Sequence, residues 1–334
     1  MSSIREAQQV WAAMERAEQR KARTALLTLV SVRGSAYRRP GAKMMMASDG
    51  EMFGTLSGGC LEGDLYHYAE QAMASMQPAV RYYDLTEDAM WGLGIGCKGT
   101  IMVWIEPVEL KSQFWQQYGA LVEQDRPFVM EAKLPVGIRR LHPQIRAEEL
   151  SELPEEVRSW RSMTHYRDDV VYDILVPPER LIVVGAGHDA VPLVALANQA
   201  GFEVTVLDPR PHFNTAKKLP QAARHWVQQV GDVDPDTVQN AYWIIMNHHE
   251  SRDRSALDLA MKSHPQYVGM LGPHSRTLDL LGDNPIPDVL RSPVGLSIGA
   301  ETVEEVAVSI VAELLAHRNG KSGGPLNGHQ RIHD

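Results

Sequence analysis

The chain has 334 residues, enough for two domains with cores of their own, and its 44% apolar and 22% charged content is that of an ordinary globular protein. A formal net charge of −9 speaks against a protein devoted to nucleic acid or to an anionic membrane surface, since both call for a basic face. Two cysteines make no disulfide framework and suit a reducing compartment; with no apolar run near the ~20 residues of a membrane span and no signal-peptide core at the start, the expected location is the cytoplasm.

Ile4, Ala7, Val10, Trp11, Met14 and Ala17 recur at helical spacing and predict an opening helix. A-L-L-T-L-V-S-V (25–32) reads as a strand, and R-G-S-A-Y-R-R-P-G-A (33–42) as a polar loop. K-M-M-M-A-S (43–48) and M-F-G-T-L (52–56) predict a hairpin turning at Asp49-Gly50. Gly58-Gly59-Cys60 leads into a helix from about Leu61 to Met76, then R-Y-Y-D-L (81–85). The loop W-G-L-G-I-G-C-K-G (91–99) carries Cys97 and runs into the strand T-I-M-V-W-I-E-P (100–107).

Residues 108–176 read as a connecting part, with a helix at 114–122, strands at 128–132 and 170–176, and a charged, Pro-containing segment between the strands. Pro177-Pro178 marks the domain boundary, because neither residue continues a ladder or a helix easily. The expected organisation is therefore an α/β domain at 1–176, a second at 179–318, and a Gly-rich flexible tail at 319–334.

The second domain has the pattern of a Rossmann-like, doubly wound parallel sheet. L-I-V-V-G-A-G-H-D-A-V-P-L (181–193) is strand, glycine turn and helix, with Gly185, Gly187 and Ala190 at the G-x-G-x-x-G/A positions and Pro192 in the first helical turn. The first glycine permits the tight turn, the second lets a pyrophosphate reach the backbone, and the small third residue lets helix and strand pack closely. E-V-T-V-L-D (203–208) ends in Asp208, where a ribose-binding acid is expected, with Arg210 keeping a 2′-phosphate open. The alternative is a Rossmann fold that binds no dinucleotide. The strands at 242–246 and 267–272 end in N-H-H-E-S-R-D and P-H-S-R, which places His248, His249 and Arg276 at the carboxyl ends where ligands bind. Adjacent side chains such as His248 and His249 diverge, so a polar loop is expected there rather than a metal. Thr302 and Glu305 form a capping box for the last helix.

The first domain carries the less common chemistry. Cys60 stands at a helix start, where the dipole and free N–H groups stabilise a thiolate, and its neighbouring glycines let a ligand approach the backbone. Gly96 and Cys97 repeat the theme beside Lys98. Arg33, Arg38, Arg39 and Lys43 form a basic loop in an acidic chain, and arginine suits phosphate through bidentate hydrogen bonds. A basic loop, a glycine-rich helix start and a thiol together suggest a phosphorylated, sulfur-sensitive ligand, although each taken singly is ordinary loop or core material.

The runs G-S-A-Y-R-R-P-G-A-K-M, G-T-L-S-G-G-C-L-E, G-L-G-I-G-C-K-G-T-I and I-E-P resemble the XdhC/CoxI family, accessory proteins of xanthine dehydrogenase and related molybdenum hydroxylases. V-V-G-A-G-H-D-A, H-E-S-R-D-R, Y-V-G-M-L-G and G-L-S-I-G-A-E-T-V-E-E-V-A are similar to that family's C-terminal Rossmann domain. The resemblance weakens over 108–176. It implies a maturation factor rather than a turnover enzyme. Such a factor binds molybdenum cofactor (molybdopterin, bare or as a dinucleotide), protects it while a cysteine desulfurase supplies sulfur, delivers it to a xanthine dehydrogenase-type hydroxylase, and works as a homodimer. It further implies that Gly58, Gly59, Cys60 and Glu62, with Gly96, Cys97 and Gly99, line the cofactor site, that Cys60 and Cys97 stand near molybdenum, and that Arg38 and Arg39 meet the pterin phosphate. His188 falls in the matching Rossmann motif, while His248 and Arg276 stand as candidates from their place at the carboxyl ends of the strands. Lys98 stands where many members have glycine, and His274-Ser275 where many have Arg-Arg. The rival reading is an NAD(P)-dependent oxidoreductase built on Gly185, Gly187 and Asp208.

Overall fold

The computed structural model describes residues 4–85, 99–124, 126–135, 137–143 and 164–327. Contacts divide the chain into two compact units, the first Met1–Pro177 and the second Pro178–Gly328.

In the first unit, α1 (Ile4–Gln19) precedes β1 (Thr24–Gly34), β2 (Lys43–Ala47), β3 (Met52–Gly54), α2 (Glu62–Ser75), β4 (Ala79–Asp84) and β5 (Gly99–Val108). The five strands form an antiparallel sheet in the order β3-β2-β1-β5-β4. Both faces of this sheet are covered, and the alternation along β1 shows how. Leu26 and Val30 pack with α1, while Ala25, Leu27 and Leu29 pack with α2. Successive strand side chains point to opposite faces, so a strand buried on both reads as an unbroken apolar run, as A-L-L-T-L-V does.

β3 stops at Gly54, two residues short of the sequence expectation, because Thr55 and Leu56 bend away to hydrogen-bond Glu62. The unit continues through α3 (Gln113–Glu123), β6 (Phe128–Lys133), β7 (Ile138–His142), β8 (Thr164–Arg167) and β9 (Val170–Leu175). These last four strands make an antiparallel sheet in the order β7-β6-β9-β8. The sequence reading found only its two central strands.

Lys43, expected in the basic loop, is instead the fully buried first residue of β2. Its Nζ lies 2.6 Å from Asp173 of β9, so this ion pair ties the two sheets together. Close by, buried Glu106 of β5 pairs with Arg139 of β7.

The second unit runs β10 (Arg180–Val184), α4 (Ala190–Gln199), β11 (Glu203–Leu207), β12 (Arg224–Trp226), β13 (Tyr242–Ile245), α5 (Glu250–Lys262), β14 (Tyr267–Met270), α6 (His274–Leu281), β15 (Leu290–Arg291) and α7 (Val303–Arg318). Its sheet is parallel throughout, in the order β12-β11-β10-β13-β14-β15. Relabelled within the unit this is 3-2-1-4-5-6, the Rossmann order, with the crevice between β10 and β13. Leu181 and Val183 pack on one face with α4 and α7, while Ile182 and Val184 pack on the other with α5. The Thr302–Glu305 capping box opens α7. Among the described residues no helix is long and apolar enough to cross a membrane.

Candidate functional site

In the first unit the site grows from the ends of β1 and β5. Gly34 pairs with Gly99, and a side chain on Gly99 would lie 2.5 Å from the Ser35 carbonyl oxygen and 2.6 Å from that of Arg33. Only glycine lets β5 begin against the root of the basic loop. Leu85 donates its N–H to the Gly99 carbonyl at 2.8 Å. Here a small pocket is lined by Ala36, Tyr37, Leu56, Ser57, Cys60, Leu61, Leu85 and Ile101. Cys60 is exposed. Gly96 and Cys97 lie outside the described residues.

The loop that carries Cys60 is shaped by one side chain. Glu62, the first residue of α2, turns its carboxylate back over the loop. Oε1 accepts from the Thr55 hydroxyl (2.8 Å) and from the N–H groups of Leu56 (3.1 Å) and Ser57 (3.0 Å). Oε2 accepts from the N–H groups of Gly59 (2.9 Å) and Leu61 (3.2 Å) and from the Ser57 hydroxyl. The Gly58 N–H goes to Thr55 Oγ1 at 3.0 Å. Burial pushes the Glu62 carboxyl up, but the donors of Ser57, Thr55 and Leu56 outweigh it and hold its pKa at about 2.

Glu62 is thus turned toward its own loop. Its two oxygens face the loop and the residue is buried, so it holds the loop in shape. The amides of Leu56, Ser57, Gly58, Gly59 and Leu61 are likewise engaged, four of the five with this internal carboxylate. What the loop turns outward is the Cys60 thiol.

Gly58 and Gly59 both have positive φ, +74° and +105°. Three atoms of the Tyr37 ring would lie 3.3 Å from a Cβ on Gly58. That ring thus rests on the glycine, while Tyr37 as a whole is exposed.

Arg38 is partly buried. It donates to Glu6 of α1 (2.8 Å) and to the Thr55 carbonyl (3.2 Å), strapping the basic loop to the helix and to the glycine loop. Arg33 and Arg39 are exposed.

In the second unit the glycine turn is where the sequence placed it. Gly185 has φ +113°, and a Cβ there would lie 2.8 Å from the Met246 carbonyl oxygen. A Cβ on Gly187 would lie 2.5 Å from Oδ1 of Asp189. The other carboxylate oxygen of Asp189 is 2.8 Å from Nε2 of His248, which follows β13 with φ +56° and is exposed, as is His188.

Asp208 is fully buried. It accepts from the Ala186 N–H at 2.7 Å and from the Arg210 N–H, Nε and Nη2 at 2.9, 2.9 and 2.6 Å. Burial pushes its carboxyl up, yet the Arg210 guanidinium and the Ala186 N–H hold it below the usual carboxylate range. Arg276 is partly buried and pairs with Asp253, whose other oxygen accepts from the Asn247 N–H and side-chain amide at 3.2 and 3.1 Å. Sequence reasoning missed Asp253, although it closes the N-H-H-E-S-R-D run. Among the described residues no three His, Cys, Asp or Glu side chains are grouped to hold a metal ion.

Comparison with known proteins gives a consistent picture. The model of the XdhC and CoxI family matches residues 17–84, and that of the XdhC Rossmann domain matches residues 181–314. A Bacillus subtilis protein named as a probable xanthine dehydrogenase subunit is 31% identical over 317 residues, covering 88% of this chain and 92% of that protein. The "Molybdenum cofactor insertion chaperone PaoD" of Escherichia coli is 28% identical over 302 residues, covering 88% of this chain and 83% of its own. A solved structure described as a xanthine dehydrogenase from Bacillus halodurans superposes with a TM-score of 0.77 at 32% identity, over 95% of this chain and 98% of the other.

Proposed function

Because the chain belongs to the XdhC and CoxI family, we propose that it binds molybdenum cofactor as cargo and supports its sulfuration and insertion into a xanthine dehydrogenase-type molybdenum hydroxylase. The observation that carries this reading is the display of Cys60, an exposed thiol on a loop whose Leu56, Ser57, Gly58, Gly59 and Leu61 amides are satisfied from within. A soft thiolate is a fitting ligand for a metal of this kind, and a loop with few spare donors leaves the sulfur as its reactive group. Arg39, exposed on the adjoining loop, suits the pterin phosphate. Arg38 acts one step back by holding that loop. Cys97, two residues before Gly99, joins the thiol set on the strength of the resemblance.

In this reading the cargo is the pterin cofactor, bare or as its dinucleotide, and a cysteine desulfurase supplies its sulfur. The protein acts as a cytoplasmic homodimer and as a carrier rather than a turnover enzyme. Anaerobic titration of the apoprotein with molybdenum cofactor, wild type beside Cys60→Ala, tests the central claim. The expected result is stoichiometric binding weakened by about tenfold or more in the mutant, with matching loss of hydroxylase maturation. Equal binding and full maturation by Cys60→Ala would remove the thiol from the mechanism.

A further inference from the structure

We propose that Asp189 decides what the glycine turn of the second unit accepts, and that it shuts this turn against dinucleotides and other diphosphates. In a sheet of this strand order the ligand crevice opens at the switch point between β10 and β13. The turn at 185–189 lines one side of it and the turn at 247–249 the other. The second glycine of the fingerprint has one purpose toward a dinucleotide, which is to let the pyrophosphate come down onto the backbone. In this chain that space is already filled. Oδ1 of Asp189 lies 2.5 Å from the point where a Cβ of Gly187 would stand.

The group there is a carboxylate, so a diphosphate would meet both a steric block and a like charge, and close juxtaposition of like charges is a strong means of rejection. The carboxylate is also pinned. Its other oxygen is 2.8 Å from His248 Nε2, a contact that crosses the crevice from the β10 turn to the β13 turn. Helix capping does not explain the residue, because Asp189 makes no side-chain capping bond at the start of α4. The second contact a dinucleotide needs is engaged as well. Both oxygens of Asp208 already accept from Arg210, and one of them from Ala186, where a ribose hydroxyl would require an available acceptor. The turn keeps the Rossmann backbone and supplies its own anion.

Calorimetric titration of the full chain with NAD and with ADP tests this in wild type, Asp189→Asn and Asp189→Gly. The Asn variant removes the charge and keeps the shape, and the Gly variant removes both. Far-UV circular dichroism and melting curves check that each is folded. The expected result is no saturation of wild type up to about 1 mM probe, and at least about a tenfold gain in affinity for ADP in one or both variants. Saturation of wild type by either probe at micromolar concentration would overturn the proposal. So would variants that are folded and bind no better than wild type.

Discussion

Glu62 accepts six hydrogen bonds from a stretch of seven residues, and the effect of losing its charge follows from chemistry. An amide has a single acceptor oxygen, and its NH2 would face donors, so Glu62→Gln leaves several buried N–H groups unpaired. The folded carboxyl is held at about 2 against an ordinary 4.5. Its stabilising contribution is thus complete above about pH 4.5 and lost as pH falls toward 2. By linkage that shift is worth on the order of 3 kcal/mol. Denaturant unfolding between pH 2.5 and 6 should show this acid limb in wild type, and Glu62→Gln should be less stable at pH 6 with the limb flattened. Gly58→Ala should cost about 1–2 kcal/mol in the same assay, since its φ is +74° and the Tyr37 ring occupies the space a methyl would need. The part Glu62 plays was hidden in the sequence for a definite reason. It accepts from the Gly59 N–H three residues back, as in a capping box, but with glycine in place of Ser or Thr the box has no sequence signature.

Elements were legible where burial imposes a period. α1, β1, β2, α2, β5 and the two strands at the centre of the second sheet all follow apolar patterning. β7 and β8 do not, because they are the edges of that sheet and carry Arg139, Arg140, His142, His165 and Arg167 where an inner strand would carry aliphatic residues. Lys43 was grouped with the basic loop because its partner Asp173 lies 130 residues further on, a distance no local pattern reports. Removing this cation leaves a carboxylate at zero exposure, so Lys43→Met should destabilise by about 3–5 kcal/mol in urea unfolding, with Asp173→Asn on the same background recovering part of the loss. Glu106 provides the opposite case to Glu62. Burial pushes its carboxyl up, Arg139 pulls it down, Asp173 adds to the rise, and the net pKa is about 7 against 4.5. The folded state therefore holds this proton longer than the unfolded chain, and stability falls as pH rises from about 4.5 to 7. Glu106→Gln should flatten that limb and leave the one below pH 4.5 intact.

On the scale of the whole molecule, each unit has a glycine turn leading into a helix with a carboxylate set beside it, but by different means: Glu62 accepts from the amides of its own loop, while Asp189 stands against Gly187 and bonds His248. The glycine pattern made both turns visible in the sequence; the occupancy of the turns was not visible, because it depends on where an acidic side chain points. The units also have separate cores. The apolar clusters of the first draw only on residues before Pro177, and those of the second only on residues after it. A buried charge unpaired in one core should thus loosen that core by local opening, the free energy of which amide hydrogen exchange reads directly. Arg276→Ala strands Asp253, which is 1% exposed and whose carboxylate is otherwise bonded to Asn247. Exchange should quicken in β13, β14 and α5, whose residues form the cluster next to Asp253, while β1, β2 and β5 keep wild-type protection. Lys43→Met should give the mirror image, with faster exchange in β1, β2, β6 and β9 and none in β10, β11 or β13. Acceleration of both units by either substitution would mean that the two cores open as one.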